Sequence, residues 1–176
     1  LQEIWEGKLE PVYPYRKAGP TVEKINGSLT APAAPKIGVA KPKVIIPVFP
    51  GTNCEYDTAK AFARAGADPE ILVIRNLTPA DVAESCKALV KAIDNSQIVM
   101  LPGGFSGGDE PDGSAKFIAS FFRNPAVTEA VRRLLQQRDG LMLGICNGFQ
   151  ALIKLGLVPY GDIRPITSYD PTLTFN

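Results

Sequence analysis

From residue 43 onward, short runs of β-branched and apolar residues alternate with stretches of helical periodicity, and this alternation restricts the fold more than any other feature. Val44-Ile45-Ile46-Pro47-Val48-Phe49 reads as a buried strand, weakened slightly by Pro47, which has no N–H for a sheet ladder. Residues 55–65 follow as a helix stopped by Gly66, and Ile71-Leu72-Val73-Ile74 as a second strand. Thr78 is placed to cap the next helix, with Pro79 in the first position, Asp81 supplying a favourable N-terminal charge and Val82, Leu89 and Ile93 on the apolar face. That helix should end near Asp94-Asn95. Residues 97–101 form a third strand and residues 141–145 a fourth. Between them lie helical stretches over 115–123 and 126–138, broken at Asn124-Pro125, and a last helix over 147–155 stops at Gly156. Strands joined through helices imply right-handed βαβ crossovers, so the expected fold is α/β: a doubly wound parallel sheet with helices on both faces.

Residues 1–42 lack this rhythm. Pro20, Pro32, Pro35 and Pro42 interrupt a stretch rich in Ala, Gly and Lys, which reads as a linker or docking arm ahead of the main domain at 43–176. Trp5, Tyr13 and Tyr15 are unusual for a flexible tether and could pack on a neighbouring domain; a disordered tail is the plainer alternative.

With 176 residues, 45% of them apolar, the chain can bury a core. Lys and Arg number 19 against 18 Asp and Glu, a balance that points away from nucleic acid and anionic membranes and towards small molecules or another protein domain. No apolar run approaches the roughly 20 residues needed to span a bilayer, and the first residues lack a secretory apolar core. Cys54, Cys86 and Cys146 cannot all pair with one another and form no CxxC suited to a metal, so a reduced, cytoplasmic setting fits best. The sequence opens at Leu1 and stops at Asn176 on the strand-like phrase Thr172-Leu173-Thr174-Phe175, which reads as a piece of a longer polypeptide. It contains no histidine, so a mechanism that needs an imidazole base is incomplete within these residues.

Gly144-Ile145-Cys146-Asn147-Gly148 has the form G-x-C-x-G where an apolar strand turns into a helix, the arrangement of a nucleophile elbow with cysteine in place of serine. Flanking glycines let strand and helix approach around a strained turn that pushes the sulfur outward. The helix N-terminus suits a thiolate, and its free N–H groups can receive an oxyanion. A buried structural cysteine with packing glycines is the bland alternative. Pro102-Gly103-Gly104-Phe105-Ser106-Gly107-Gly108 could cradle a phosphate, but no Lys-Ser or Lys-Thr follows at P-loop spacing and the glycines do not match G-x-G-x-x-G. A backbone donor for a reaction intermediate suits it better. Cys54 also sits between a strand and a helix but lacks flanking glycines, and Asn53 is placed to cap the helix beginning near Glu55. Cys86, within a helix, is expected to pack.

Phe49-Pro50-Gly51-Thr52-Asn53-Cys54-Glu55, Leu101-Pro102-Gly103-Gly104-Phe105-Ser106-Gly107-Gly108-Asp109-Glu110 and Gly144-Ile145-Cys146-Asn147-Gly148-Phe149-Gln150 together resemble the glutaminase domain of phosphoribosylformylglycinamidine synthases, a class I glutamine amidotransferase. The resemblance covers 43–176 and implies a flavodoxin-like amidotransferase fold, truncated at its C-terminus. Residues 5–16 are similar, more faintly, to the end of the synthetase region in fused, single-chain enzymes.

The resemblance implies Cys146 as the nucleophile on glutamine, backbone N–H groups of Gly103, Gly104 and Asn147 as the oxyanion hole, and Gly144 and Gly148 as the elbow glycines. Ammonia would pass to a synthetase domain that uses ATP and magnesium on formylglycinamide ribonucleotide in de novo purine biosynthesis, with no cofactor or metal in these residues. The family's histidine base and orienting glutamate lie further towards the C-terminus and have no counterpart here; Asp109 and Glu110 do not fill those roles. The isolated chain is therefore expected to have little glutaminase activity. Two other readings stay open: another cysteine hydrolase or redox-sensing relative of the fold, and a non-catalytic interaction module.

Overall fold

The structure, a computed structural model, describes residues 2–12, 26–28, 38–107 and 114–173. The chain divides into two compact units, Leu1–Ala34 and Pro35–Asn176. In the first, α1 (Gln2–Glu6) runs into a 3₁₀ turn (Gly7–Leu9), with Ile4 and Trp5 exposed. Tyr13, Tyr15, Pro20, Pro32 and Pro35 lie outside the described residues, as do Gly108, Asp109, Glu110, Thr174 and Phe175.

In the second unit the four strands β1 (Lys43–Val48), β2 (Asp68–Val73), β3 (Ile98–Leu101) and β4 (Leu141–Gly144) form one parallel sheet in the order β2-β1-β3-β4. The helices are α2 (Glu55–Arg64), α3 (Pro79–Asp94), α4 (Lys116–Phe122), α5 (Pro125–Arg132), α6 (Asn147–Leu155) and α7 (Leu157–Tyr160). Strand alternation divides the core between the two faces. Ile45, Val99 and Leu101 point into a large core with Leu89 and Ile93 of α3, Ile118 and Phe122 of α4, Val127 and Val131 of α5, and Ala151 and Leu155 of α6. Val44, Ile46 and Met100 point the other way, against Ala59 and Phe62 of α2. Helices therefore cover both faces, and the doubly wound α/β expectation holds.

Local chemistry explains the element ends. Thr78 and Asp81 close a reciprocal capping box at the start of α3 with Pro79 in its first turn. Gly66, at φ 91°, follows the end of α2. Pro47 is tolerated inside β1 because the β1–β3 register runs over Val44 and Ile45 only, ending before a residue with no N–H to give. Three expectations need correction. The second strand starts earlier, at Asp68, drawn in by pairing with the whole of β1. The helix expected over 126–138 turns into a π-helical segment (Arg133–Gln137), where Arg138 N–H donates to the Arg133 carbonyl at 3.1 Å. Thr172 and Leu173 are not in a strand.

Candidate active site

β4 ends at Gly144, and Ile145 continues its pairing by donating its N–H to the Leu101 carbonyl at 3.1 Å. The chain then turns sharply at Cys146, the residue before α6, with φ 51° and ψ −112°. That conformation is strained for any residue with a β-carbon, and the cysteine is exposed. The two expected glycines are required sterically. A β-carbon on Gly148 would lie 2.0 Å from the Leu101 carbonyl oxygen, and one on Gly144 would lie 2.6 Å from the Gly148 carbonyl. Strand end and helix start thus overlap too closely for side chains. As the first residue of a nine-residue helix, Asn147 has an N–H with no place in the helix's own ladder.

The glycine loop after β3 lies against this elbow: a β-carbon on Gly103 would be 3.5 Å from Cβ of Cys146. It is held from the opposite side by the loop after β1. Asn53 N–H donates to the Gly103 carbonyl at 2.9 Å and Phe105 N–H to the Gly51 carbonyl at 2.8 Å, framing an antiparallel bridge between Thr52 and Gly104. Gly104 has φ 127°, and a β-carbon there would be 2.3 Å from the Gly51 carbonyl oxygen. Among the described residues, no backbone hydrogen bond draws on the N–H of Gly103 or Gly104. The bridging leaves those two amides without a main-chain partner, and Gly103 lies beside the cysteine.

The role expected for Asn53 is corrected. Cys54, in the left-handed conformation at φ 67°, takes the N-cap position of α2 without a side-chain cap, because Asn53 spends its N–H on Gly103 and its Oδ1 accepts from the Cys54 thiol at 2.9 Å. Cys54 is exposed, whereas Cys86 is partly buried against the large core, and that burial raises its thiol pKa.

A side chain that spacing alone did not mark, that of Asn147, joins the elbow to the main chain of the glycine loop. Asn147 is 1% exposed; its Oδ1 accepts from Ser106 N–H at 3.1 Å and its Nδ2 donates to Gln150 Oε1 at 2.9 Å. Ser106 is fully buried, and its hydroxyl is without a hydrogen-bond partner. A polar residue at the first helical position after the cysteine was the available signal. Its partner, 41 residues away, required the fold.

The profile of the CobB/CobQ-like glutamine amidotransferase domain matches residues 41–176. The chain belongs to this family. It is 37% identical over 123 residues to the phosphoribosylformylglycinamidine synthase subunit PurQ of Dehalococcoides mccartyi, covering 69% of this chain and 43% of the relative. The PurQ subunit of Cereibacter sphaeroides is 41% identical over 117 residues, covering 66% of this chain and 44% of that protein. The chain thus spans less than half the length of these curated relatives. Among solved structures it is similar to PurLQS from Thermotoga maritima, at 28% identity and a TM-score of 0.45, covering 66% of this chain and 45% of that one.

Proposed function

We propose that this chain carries the nucleophile-bearing part of the glutaminase of a phosphoribosylformylglycinamidine synthase, supplying ammonia for purine biosynthesis. Family membership and similarity to PurQ subunits support the reading. The observation that carries it is the juxtaposition of Cys146, on a strained strand-to-helix turn, with a glycine loop whose Gly103 and Gly104 amides remain available.

On this reading the Cys146 thiolate attacks the side-chain amide carbon of glutamine, and the carbonyl oxygen takes up the negative charge. The N–H groups of Asn147 and of the Gly103-Gly104 loop receive that charge from fixed positions, so little reorganisation accompanies the step. The carbon–nitrogen bond breaks as the nitrogen gains a proton, releasing ammonia and leaving a glutamyl thioester on Cys146. Water then attacks the thioester, giving glutamate and regenerating the thiol. With no histidine in the sequence, an imidazole that moves these protons must come from outside these 176 residues. The ammonia is used by a synthetase partner, which amidates formylglycinamide ribonucleotide with ATP and magnesium. A cytoplasmic, reducing setting keeps the exposed thiol competent.

Labelling with a chloroketone analogue of glutamine, followed by peptide mass spectrometry, tests the proposal. Modification should reach one equivalent at Cys146 while Cys54, also exposed to solvent, reacts far more slowly. Comparable labelling of the two cysteines would overturn it.

A further inference from the structure

An oxyanion hole drawn from two separate segments works only if their relative position is fixed. One donor sits on the first turn of α6 and the others on the loop after β3, so something must hold loop to helix on either side of the substrate carbonyl. Glycines cannot do this with side chains. The loop after β1 fixes one side of the glycine loop, through the Asn53–Gly103 and Phe105–Gly51 bonds. On the elbow side, among the described residues, Ser106 N–H donates to Oδ1 of Asn147 and so links the two segments.

We infer that the Asn147 carboxamide is a positioning residue, a strut that sets the spacing of the glycine-loop amides from the Asn147 main-chain amide. The inference rests on the glutaminase reading of the site. Three observations support it. Asn147 is buried although its side chain is polar, and both ends of the carboxamide are used: Oδ1 on the loop and Nδ2 on Gln150 one turn further along α6. Ser106 N–H can be satisfied only by an acceptor, which turns the Asn147 oxygen towards the loop and leaves Nδ2 to donate to Gln150 Oε1. Ser106 is itself fully buried with an unpartnered hydroxyl, so this part of the loop is tied to the elbow through its main chain rather than its side chain. A buried N–H that lost Asn147 would be left unpaired, which favours displacement of the loop.

Two readouts on the intact chain separate this role from simple structural support. Amide hydrogen exchange of the peptide containing Ser106 should accelerate by about tenfold in Asn147→Ala, the worth of one buried hydrogen bond, while β1 and β3 keep their protection. Asn147→Asp, which keeps an acceptor oxygen at the same reach, should restore slow exchange. If Asn147→Ala does not fold, Asn147→Ser replaces it, since the shorter hydroxyl cannot span the gap. In parallel, the rate of Cys146 alkylation by the glutamine-analogue chloroketone should fall by about tenfold in the Ala or Ser variant. Alkylation by iodoacetamide, which needs no oxyanion donors, should keep its rate and pH profile. Unchanged exchange at Ser106, or an equal fall with both reagents, would overturn the strut. A wild-type chain that shows no preference for the chloroketone but does show the exchange contrast would sink the glutaminase reading and leave the strut standing as architecture.

Discussion

At the scale of single residues, the site is defined by where a β-carbon is forbidden and where one is tolerated under strain. Gly148 abuts the Leu101 backbone, which cannot yield as a flexible side chain would. Gly148→Ala should therefore destabilise the fold by at least ~1–3 kcal/mol, read from urea unfolding midpoints. Cys146 is the converse case, a residue with a β-carbon held at φ 51° and ψ −112°. Replacing it by Gly relieves that strain and replacing it by Ala does not. Cys146→Gly should be more stable than Cys146→Ala by about 1 kcal/mol despite the greater unfolded-state freedom of glycine. Both variants should lose chloroketone labelling at this position. These residues were legible in the sequence because G-x-C-x-G spacing encodes a local geometry. The Ser106–Asn147 contact was not, since it depends on how β3 and β4 bring distant loops together.

At the scale of elements, the strands and long helices follow from periodicity and capping, and the exceptions have physical causes. α7 was missed because four residues containing a proline give no period to read, and Cys54 displaced Asn53 as N-cap because the β1 loop is committed to the glycine loop. Beyond α6 the chain is secured by two carboxylates. Arg132 hydrogen-bonds Asp162 and holds its carboxyl below the ordinary range. Asp170 is held well below it too, first by the Tyr160 hydroxyl and then by the Thr167 N–H and hydroxyl, with a smaller contribution from Arg164. Because folding depresses both values, this stabilisation is fully present above the unfolded carboxyl value of about 4 and is lost as pH falls through the folded ones. Urea midpoints should accordingly drop below about pH 4, and the drop should be shallower in Asp162→Asn and Asp170→Asn. A wild-type midpoint that stays flat down to pH 2.5 would contradict these anchors. At the head of α3, Thr78→Ala should lower stability by about 1 kcal/mol, since it removes the acceptor for Asp81 N–H.

At the scale of the whole molecule, a four-stranded parallel sheet carries both loops and the nucleophile on the carboxyl ends of its strands, where ligands bind in doubly wound folds. The order β2-β1-β3-β4 makes β1 and β3 neighbours although they are not consecutive in sequence, which is why the two loops following them meet. The alternation of strands and helices made the fold class readable, but that adjacency was not. Nor could spacing place Gly104 under the Gly51 carbonyl. Among the described residues no helix is long and apolar enough to cross a membrane. Without histidine, the purified chain should release glutamate at no more than background rate even though Cys146 can be alkylated. The central claim, that Cys146 faces a glutamine-shaped site, is tested most directly by its rate of chloroketone alkylation with and without glutamine. Glutamine should slow the reaction in a saturable manner while asparagine does not. A rate indifferent to glutamine at millimolar concentration would contradict the account.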